Sequence, residues 1–425
     1  MRVRDLRTPG AVQEIGVALL TGGADRPYAF GLATALMGKL VALDLVGSDD
    51  LDGPEFRGKP GVNFLNLRGN QRPDVSFPTK VFRVLAYYAR LIRYAATAKP
   101  AIFHILWNNK FQSFDRTLLM LYYKLLRKKI VLTLHNVNAG KRDSNDTRLN
   151  RFTLRMQYRL ANHLFIHTEK MRRELIEQFG VPETRVTLVP FGINNAVPNT
   201  RLAPRDAKLR LGICEGERAI LFFGNIAPYK GLEYLIAAFQ HVLAQCDAYR
   251  LIIVGMPKNC EGYWTTIRQA IGDVVPSGRV LLRAEFIPDE ETELYFKAAD
   301  VLVLPYTHIY QSGVLFLGYS FGLPVIASDV GSLREDIVEG KTGYVFKPED
   351  PVDLARSIER YFASDLYANL NNRRQEIRDY ATERHSWDVV GEVTRDVYGR
   401  LLGRMDHATS GVDSHSCVQH AGMER

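Results

Sequence analysis

The chain has 425 residues, 46% of them hydrophobic and 24% charged, a composition that suits a folded enzyme of two domains and excludes a largely disordered one. No stretch approaches the roughly 18 consecutive apolar residues of a membrane span, and Met1-Arg2-Val3-Arg4-Asp5 lacks the apolar centre of a signal peptide, so a cytoplasmic protein is expected. Cys214, Cys246, Cys260 and Cys417 have neither a CxxC pairing nor a metal-ligand spacing and read as isolated thiols. The net charge of +8 is unevenly placed: 30 Lys and Arg stand against 16 Asp and Glu before residue 200, which makes that part +14 and the remainder −6. Such segregation points to an anionic partner for the first half.

Apolar runs of strand length alternate with longer amphipathic segments, the mark of βαβ units in a parallel sheet. The first series of predicted strands is 15–21, 40–46, 102–106, 130–134, 163–167 and 186–189. Prolines and polar residues over 194–205 interrupt the alternation and read as a linker. A second series follows at 219–223, 251–254, 280–282, 301–304, 324–327 and 344–346. The expectation is an α/β chain with two doubly wound, Rossmann-like domains: 1–195, a linker 196–205, and 206–385. The tail 406–425 has no apolar period and is expected to be disordered.

Candidate chemistry sits at strand ends. Gly224-Asn225-Ile226-Ala227-Pro228-Tyr229-Lys230-Gly231 directly follows the strand 219–223. Glycines there let backbone amides approach a phosphate, and Lys230 adds a point charge, although an ordinary strand-to-helix turn with a solvated lysine reads the same way. Further on, a helix opens at Gln311-Ser312-Gly313-Val314, and its free amides and positive dipole end suit phosphate oxygens. The body of that helix, 314–321, reads as core.

These elements, followed by Leu251 to Gly255, Ala298-Ala299-Asp300, Gly322 to Gly331 and Glu335 to Gly343, recur in the order seen in a known family. The chain resembles the retaining GT-B glycosyltransferases of the "glycosyl transferases group 1" type, from Gly22-Gly23 to about Trp387. The resemblance implies two domains facing across a cleft and a helix over 386–405 that crosses back to the first domain. It makes Lys230 the lysine that neutralises the donor diphosphate, with Asn225 where an arginine is usual. Gly22 and Gly23 match a glycine loop at the cleft, and His135 matches a histidine close to the reacting sugar. Pro190 to Asn194 matches the stretch before the linker. The family's Glu-x7-Glu pair should fall at 309 and 317, where this chain has Ile309 and Leu317. Gln311 is the expected polar substitute.

The resemblance therefore implies a transferase that takes its sugar from a nucleotide-diphosphate donor, with no further cofactor and with no metal, since no Asp-x-Asp or His-rich site occurs. Trp107, Asn108 and Lys110, with His104, follow a strand and are expected on the acceptor side. Tyr306, Thr307 and His308 crowd the donor-facing loop, and Glu335 reads either as functional or as helix-stabilising. A glycan or lipid-linked acceptor is implied and nucleic acid is not. An anionic membrane surface is expected to meet two basic segments, 80–99 and 118–129, where Phe82, Tyr87, Tyr88 and Tyr94 look exposed. A non-catalytic scaffold subunit of the same fold is the alternative, favoured by the missing glutamates. A nicotinamide-dependent oxidoreductase is disfavoured because no Gly-x-Gly-x-x-Gly run occurs.

Overall fold

The computed structural model describes residues 14–22, 26–71, 75–142, 145–193, 197–258, 260–274 and 278–404. Gly23 and the tail 406–425 lie outside them. Within these residues Cys214, Cys246 and Cys260 are free thiols.

Seven parallel strands form the first sheet: β1 (Ile15–Leu20), β2 (Val41–Gly47), β3 (Val62–Asn66), β4 (Ile102–Ile105), β5 (Lys129–Thr133), β6 (His163–Ile166) and β7 (Val186–Leu188), in the order β3-β2-β1-β4-β5-β6-β7. Six more form the second: β8 (Arg218–Phe223), β9 (Tyr249–Val254), β10 (Val280–Arg283), β11 (Val301–Leu304), β12 (Val325–Ser328) and β13 (Gly343–Phe346), in the order β10-β9-β8-β11-β12-β13. Helices cover both faces of each sheet, so the central strands β4, β6, β11 and β12 are buried along their whole length, which is why they read as unbroken apolar runs.

β3 was not among the predicted strands. It lies at the edge of the first sheet, no residue of Val62-Asn63-Phe64-Leu65-Asn66 is fully buried, and its two asparagines break the apolar pattern. The linker reading also needs correction, because a helix begins at Pro204 inside it, where proline's fixed φ suits a first helical position. Thr200 is clamped to the second domain: its N–H and hydroxyl donate to Glu293 Oε1 at 2.6 and 3.0 Å.

The helix Trp387–Leu401 packs on the helix Arg26–Leu36 and joins the core of the first sheet. Trp387 lies where a Cβ on Gly31 or Gly192 would have to sit, 2.1 and 2.3 Å from its ring, and its Nε1 donates to Ile193 O at 2.7 Å. Glycine at both positions is thus a packing requirement for this crossing.

The basic surface differs from the sequence expectation. Tyr87 and Tyr88 are buried rather than exposed. Arg90 donates to Leu67 O, Lys124 to Asn162 Oδ1, and Lys128 to the carbonyls of Ala98 and Pro100. Phe82 is exposed as expected and Tyr94 is half-buried; also exposed are the apolar residues Phe77, Val81, Leu85 and Ile92 on the helix Phe77–Thr97, and Leu118, Leu121 and Leu125 on the neighbouring helical segment. Lys80, Arg93, Arg127 and Lys129 are exposed on the same segments.

Candidate active site

In both sheets the strand order reverses beside the first strand, between β1 and β4 and between β8 and β11. Loops leaving the carboxyl ends of such neighbours diverge and open a crevice, the usual place for a ligand in an open α/β sheet. Gly22 follows β1, Trp107 follows β4, Gly224 follows β8, and Tyr306 follows β11. The sequence candidates therefore collect at the two crevices.

Between the domains lies a cavity of about 270 Å³. Pro27, Tyr28, Phe191, Gly192 and Trp387 wall it on the side of the first domain and the crossing helix; Lys230, Ile309, Gln311, Ser312, Gly313, Val314 and Leu317 wall it on the other. Lys230 ends a short 3-10 turn, Pro228–Lys230, whose cap Gly231 has φ 63°; a Cβ there would meet Pro305 O at 2.0 Å. That close approach requires glycine. It also sets the lysine, 7% exposed, with Nζ 3.8 Å from the centroid of the buried Tyr306 ring. The helix Gly313–Ser320 opens beside it with its body buried and Gly313 exposed. A Cβ on Gly224 would stand 3.4 Å from Val314 Cγ2, so the loop after β8 and the amino end of this helix converge. An ammonium and a helix N-terminus on one wall, with no carboxylate in the lining, form an arrangement that suits an anion.

Gln311 turns its amide toward Asp336, whose carboxyl burial pushes up to about 7. Its Oε1 is buried without a protein partner, and the residue lines the cavity. Tyr310 reaches out of the same loop into the core of the first domain, where its hydroxyl donates to Glu174 Oε2 at 2.6 Å. Lys141 closes the network on Glu174 at 2.8 Å.

A second cavity, about 160 Å³, opens in the first domain at the ends of β4 and β5 and is lined by Trp107, Asn108, His135 and Asn136 among others. The imidazole of His135 lies flat on Trp107, 4.1 Å between centroids and 4° between planes. Tyr28 meets both rings edge-on, at 4.7 and 5.8 Å, so this aromatic cluster divides one cavity from the other. Burial holds His135 well below the ordinary histidine value, hence neutral, and its Nε2 has no protein partner.

A scan of known families matches residues 22–197 to Glycosyltransferase Family 4 and residues 217–364 to Glycosyl transferases group 1. The chain carries a Glycosyltransferase Family 4 domain followed by a Glycosyl transferases group 1 domain. A D-inositol 3-phosphate glycosyltransferase of Geodermatophilus obscurus is 28% identical over 56% of this chain and 51% of its own length, and an uncharacterized glycosyltransferase of Methanocaldococcus jannaschii is 27% identical over 56% and 60%. The chain thus spans only about half to three fifths of these relatives. Sucrose-phosphate synthase from Thermosynechococcus elongatus superposes with TM-score 0.69 at 18% identity, covering 92% of this chain and 100% of that one. Anabaena HepE in complex with UDP and glucose superposes with TM-score 0.69 at 15% identity, covering 91% and 100%. Both share the two-domain GT-B fold.

Ile309 and Leu317, the positions expected for the glutamate pair, do line the interdomain cavity. Asn225 and Lys110 are exposed and line neither cavity. His104 is not on an acceptor surface at all: it is fully buried, its Nδ1 2.5 Å from Tyr398 Oη and its Nε2 2.7 Å from Thr133 Oγ1. Gly22 has φ 63° and a Cβ there would meet Trp107 O at 2.2 Å. Arg68 donates to Gly22 O and lies 4.9 Å from the Tyr87 centroid, which fixes that loop; the sequence reading missed it. Tyr28, Tyr310 and Trp387 were missed as cleft residues for the same reason, that only the fold brings them there.

Proposed function

We propose that this protein transfers a sugar from a nucleotide-diphosphate donor bound in the interdomain cavity to a hydroxyl group presented on the first domain, with retention at the anomeric carbon. The observation that carries the proposal is the convergence of Lys230 with the amino end of the helix Gly313–Ser320 on one cavity wall. In the transfer, the bond from the anomeric carbon to the diphosphate oxygen breaks with its electron pair on the diphosphate. The acceptor oxygen bonds that carbon, and its proton leaves on the released diphosphate. Lys230 and the amides at Ser312 and Gly313 stabilise the charge that grows on the leaving oxygens, an electrostatic contribution needing no general acid. His135 is neutral and lines the first-domain cavity, where it positions the sugar rather than donating charge. Gln311, on the wall of the interdomain cavity, takes a donor hydroxyl in place of the absent carboxylates once its amide turns toward the donor. Related structures support the donor class, since HepE has been solved with UDP-glucose. The test is release of nucleoside diphosphate across a panel of nucleotide sugars; no release from any of them would leave the scaffold reading, which the apolar Ile309 and Leu317 favour.

The acceptor we propose is a glycan or lipid-linked molecule reached from an anionic membrane surface. Among the described residues no helix is long and apolar enough to cross a membrane. Exposed Phe77, Phe82, Leu85, Leu118 and Leu125, bordered by Lys80, Arg93, Arg127 and Lys129, combine apolar anchors with positive charge, which complements an anionic bilayer. Cosedimentation with anionic vesicles should fall at high salt and fall again when those four cations become glutamate. Indifference to anionic vesicles at low salt would end the membrane proposal and favour a soluble acceptor.

A further inference from the structure

Arg116 lies on a wide π turn, Asp115–Leu119, beneath the cavity in the first domain. It is 9% exposed, and burial draws its pKa down. Its Nη1 donates to Asn150 Oδ1 at 2.9 Å and its Nη2 to Gln112 Oε1 at 2.7 Å, both neutral amides, while Nε has no partner. Among the described residues no carboxylate pairs with it: neighbouring Asp115 turns instead to the Tyr88 hydroxyl and the Asn109 amide, at 3.0 and 3.3 Å. The cavity wall carries no Asp or Glu at all. A guanidinium removed from water and hydrogen-bonded only to neutral amides, with buried Asp115 acting on it through its field and not as a bonded partner, is costly, and an anion from outside would complete the site.

We infer that this cavity binds a phosphate group carried by the acceptor, with Arg116 as its counter-charge. The assignment to the acceptor rests on the transfer reading above, because the cavity lies on the first-domain side of the Trp107–His135 stack. Phosphate rather than carboxylate fits the wall. Besides the Arg116 fork, the amide groups of Gln112 and Asn136 line the same space, while those of Asn108 and Gln157 are paired with each other, which still leaves more N–H donors than two carboxylate oxygens engage.

The experiment measures melting temperature and calorimetric binding of the full chain with inorganic phosphate, using acetate as the carboxylate control. Phosphate should stabilise the wild type and a Lys230→Met variant, acetate much less, and Arg116→Gln should weaken phosphate binding by about tenfold or more. Without phosphate, Arg116→Gln should melt somewhat lower than wild type, since it removes the hydrogen bonds to Asn150 and Gln112 and the field of Arg116 on buried Asp115; should it fail to fold, Arg116→Lys keeps the charge and should retain a phosphate response. A phosphate response unchanged in Arg116→Gln, absent in the wild type, or lost only in Lys230→Met would overturn the inference. Arg116-dependent binding to phosphatidic acid vesicles assigns the phosphate to a lipid, and binding to glycerol 3-phosphate alone assigns it to a soluble acceptor. Failure of the whole donor panel with the phosphate response intact would remove the transfer reading and the acceptor label, not the anion site.

Discussion

Lowering the pH from 7.5 to 5.5 should unfold the first domain well before the second. Burial pulls His104 down to about 3 and His163, His167 and His385 to about 4. Three of them belong to strands or loops of the first sheet, and His385 sits where the crossing helix meets Phe191 O. Above the ordinary histidine value neither state binds a proton, so these groups leave stability unchanged there. Below about 6.5 the unfolded chain takes up protons that the folded chain refuses, and stability falls until the folded values are reached. At pH 5.5 each group then costs about 1.4 kcal/mol, and the four together about 5 kcal/mol, comparable with the whole stability of an ordinary domain. Urea unfolding at the two pH values reads the total, and calorimetry shows whether the transition splits into two. His163→Gln, which keeps a partner for Thr187, should lower the pH sensitivity by about 1.4 kcal/mol. Equal stability at both pH values would refute the assignment of these histidines as neutral and buried.

Lys230→Met keeps the apolar stem against Tyr306 and removes the charge, so turnover of any accepted donor should drop at least about tenfold, with the melting temperature little changed. Unaltered release of nucleoside diphosphate would take Lys230 out of the mechanism. Gln311→Ala should raise the donor KM about five- to tenfold, the worth of one buried hydrogen bond, whereas Leu317→Glu should not tighten donor binding, because a new carboxylate on the Lys230 wall would compete with the donor diphosphate for the lysine's charge. Tighter binding by Leu317→Glu would mean the pocket still has room for the missing carboxylate. Tyr310→Phe removes the buried contact to Glu174 that ties the donor loop to the first domain, and should raise KM with little change in kcat and open the cleft in small-angle scattering. An unchanged scattering profile together with an unchanged KM would show that the contact does not hold the domains.

Much of the architecture was legible because a parallel sheet buries both faces of its central strands, so β4, β5, β6, β11 and β12 announce themselves as apolar runs. β3 did not, since an edge strand need not be apolar on either face. At the site, Gly22, Gly224 and Lys230 were legible because a glycine after a strand is a local signal with a local cause. Arg68, Tyr28, Tyr310 and Arg116 carry no such signal: an arginine inside a helical stretch reads as a solvated face until the fold encloses it. The basic segments 80–99 and 118–129 mislead for the same reason. Lys124, Arg90 and Lys128 satisfy backbone carbonyls and an amide, work that a charge count does not reveal.

The two cavities share an electrostatic design. Each has one strongly basic side chain in its lining, Lys230 or Arg116, and neither has a carboxylate. The replacement of the expected glutamates by Ile309 and Leu317 then acquires a physical meaning. Two carboxylates on the same wall as Lys230 would share its charge with a bound diphosphate, and in the proposed transfer their absence leaves that charge to the leaving group. Between the cavities stand Tyr28, Trp107 and His135, and because burial keeps His135 uncharged, this aromatic cluster adds no third positive centre. In the proposed transfer a donor diphosphate and an acceptor phosphate, which repel one another in one shared pocket, would each meet a separate cation on its own side of a neutral wall.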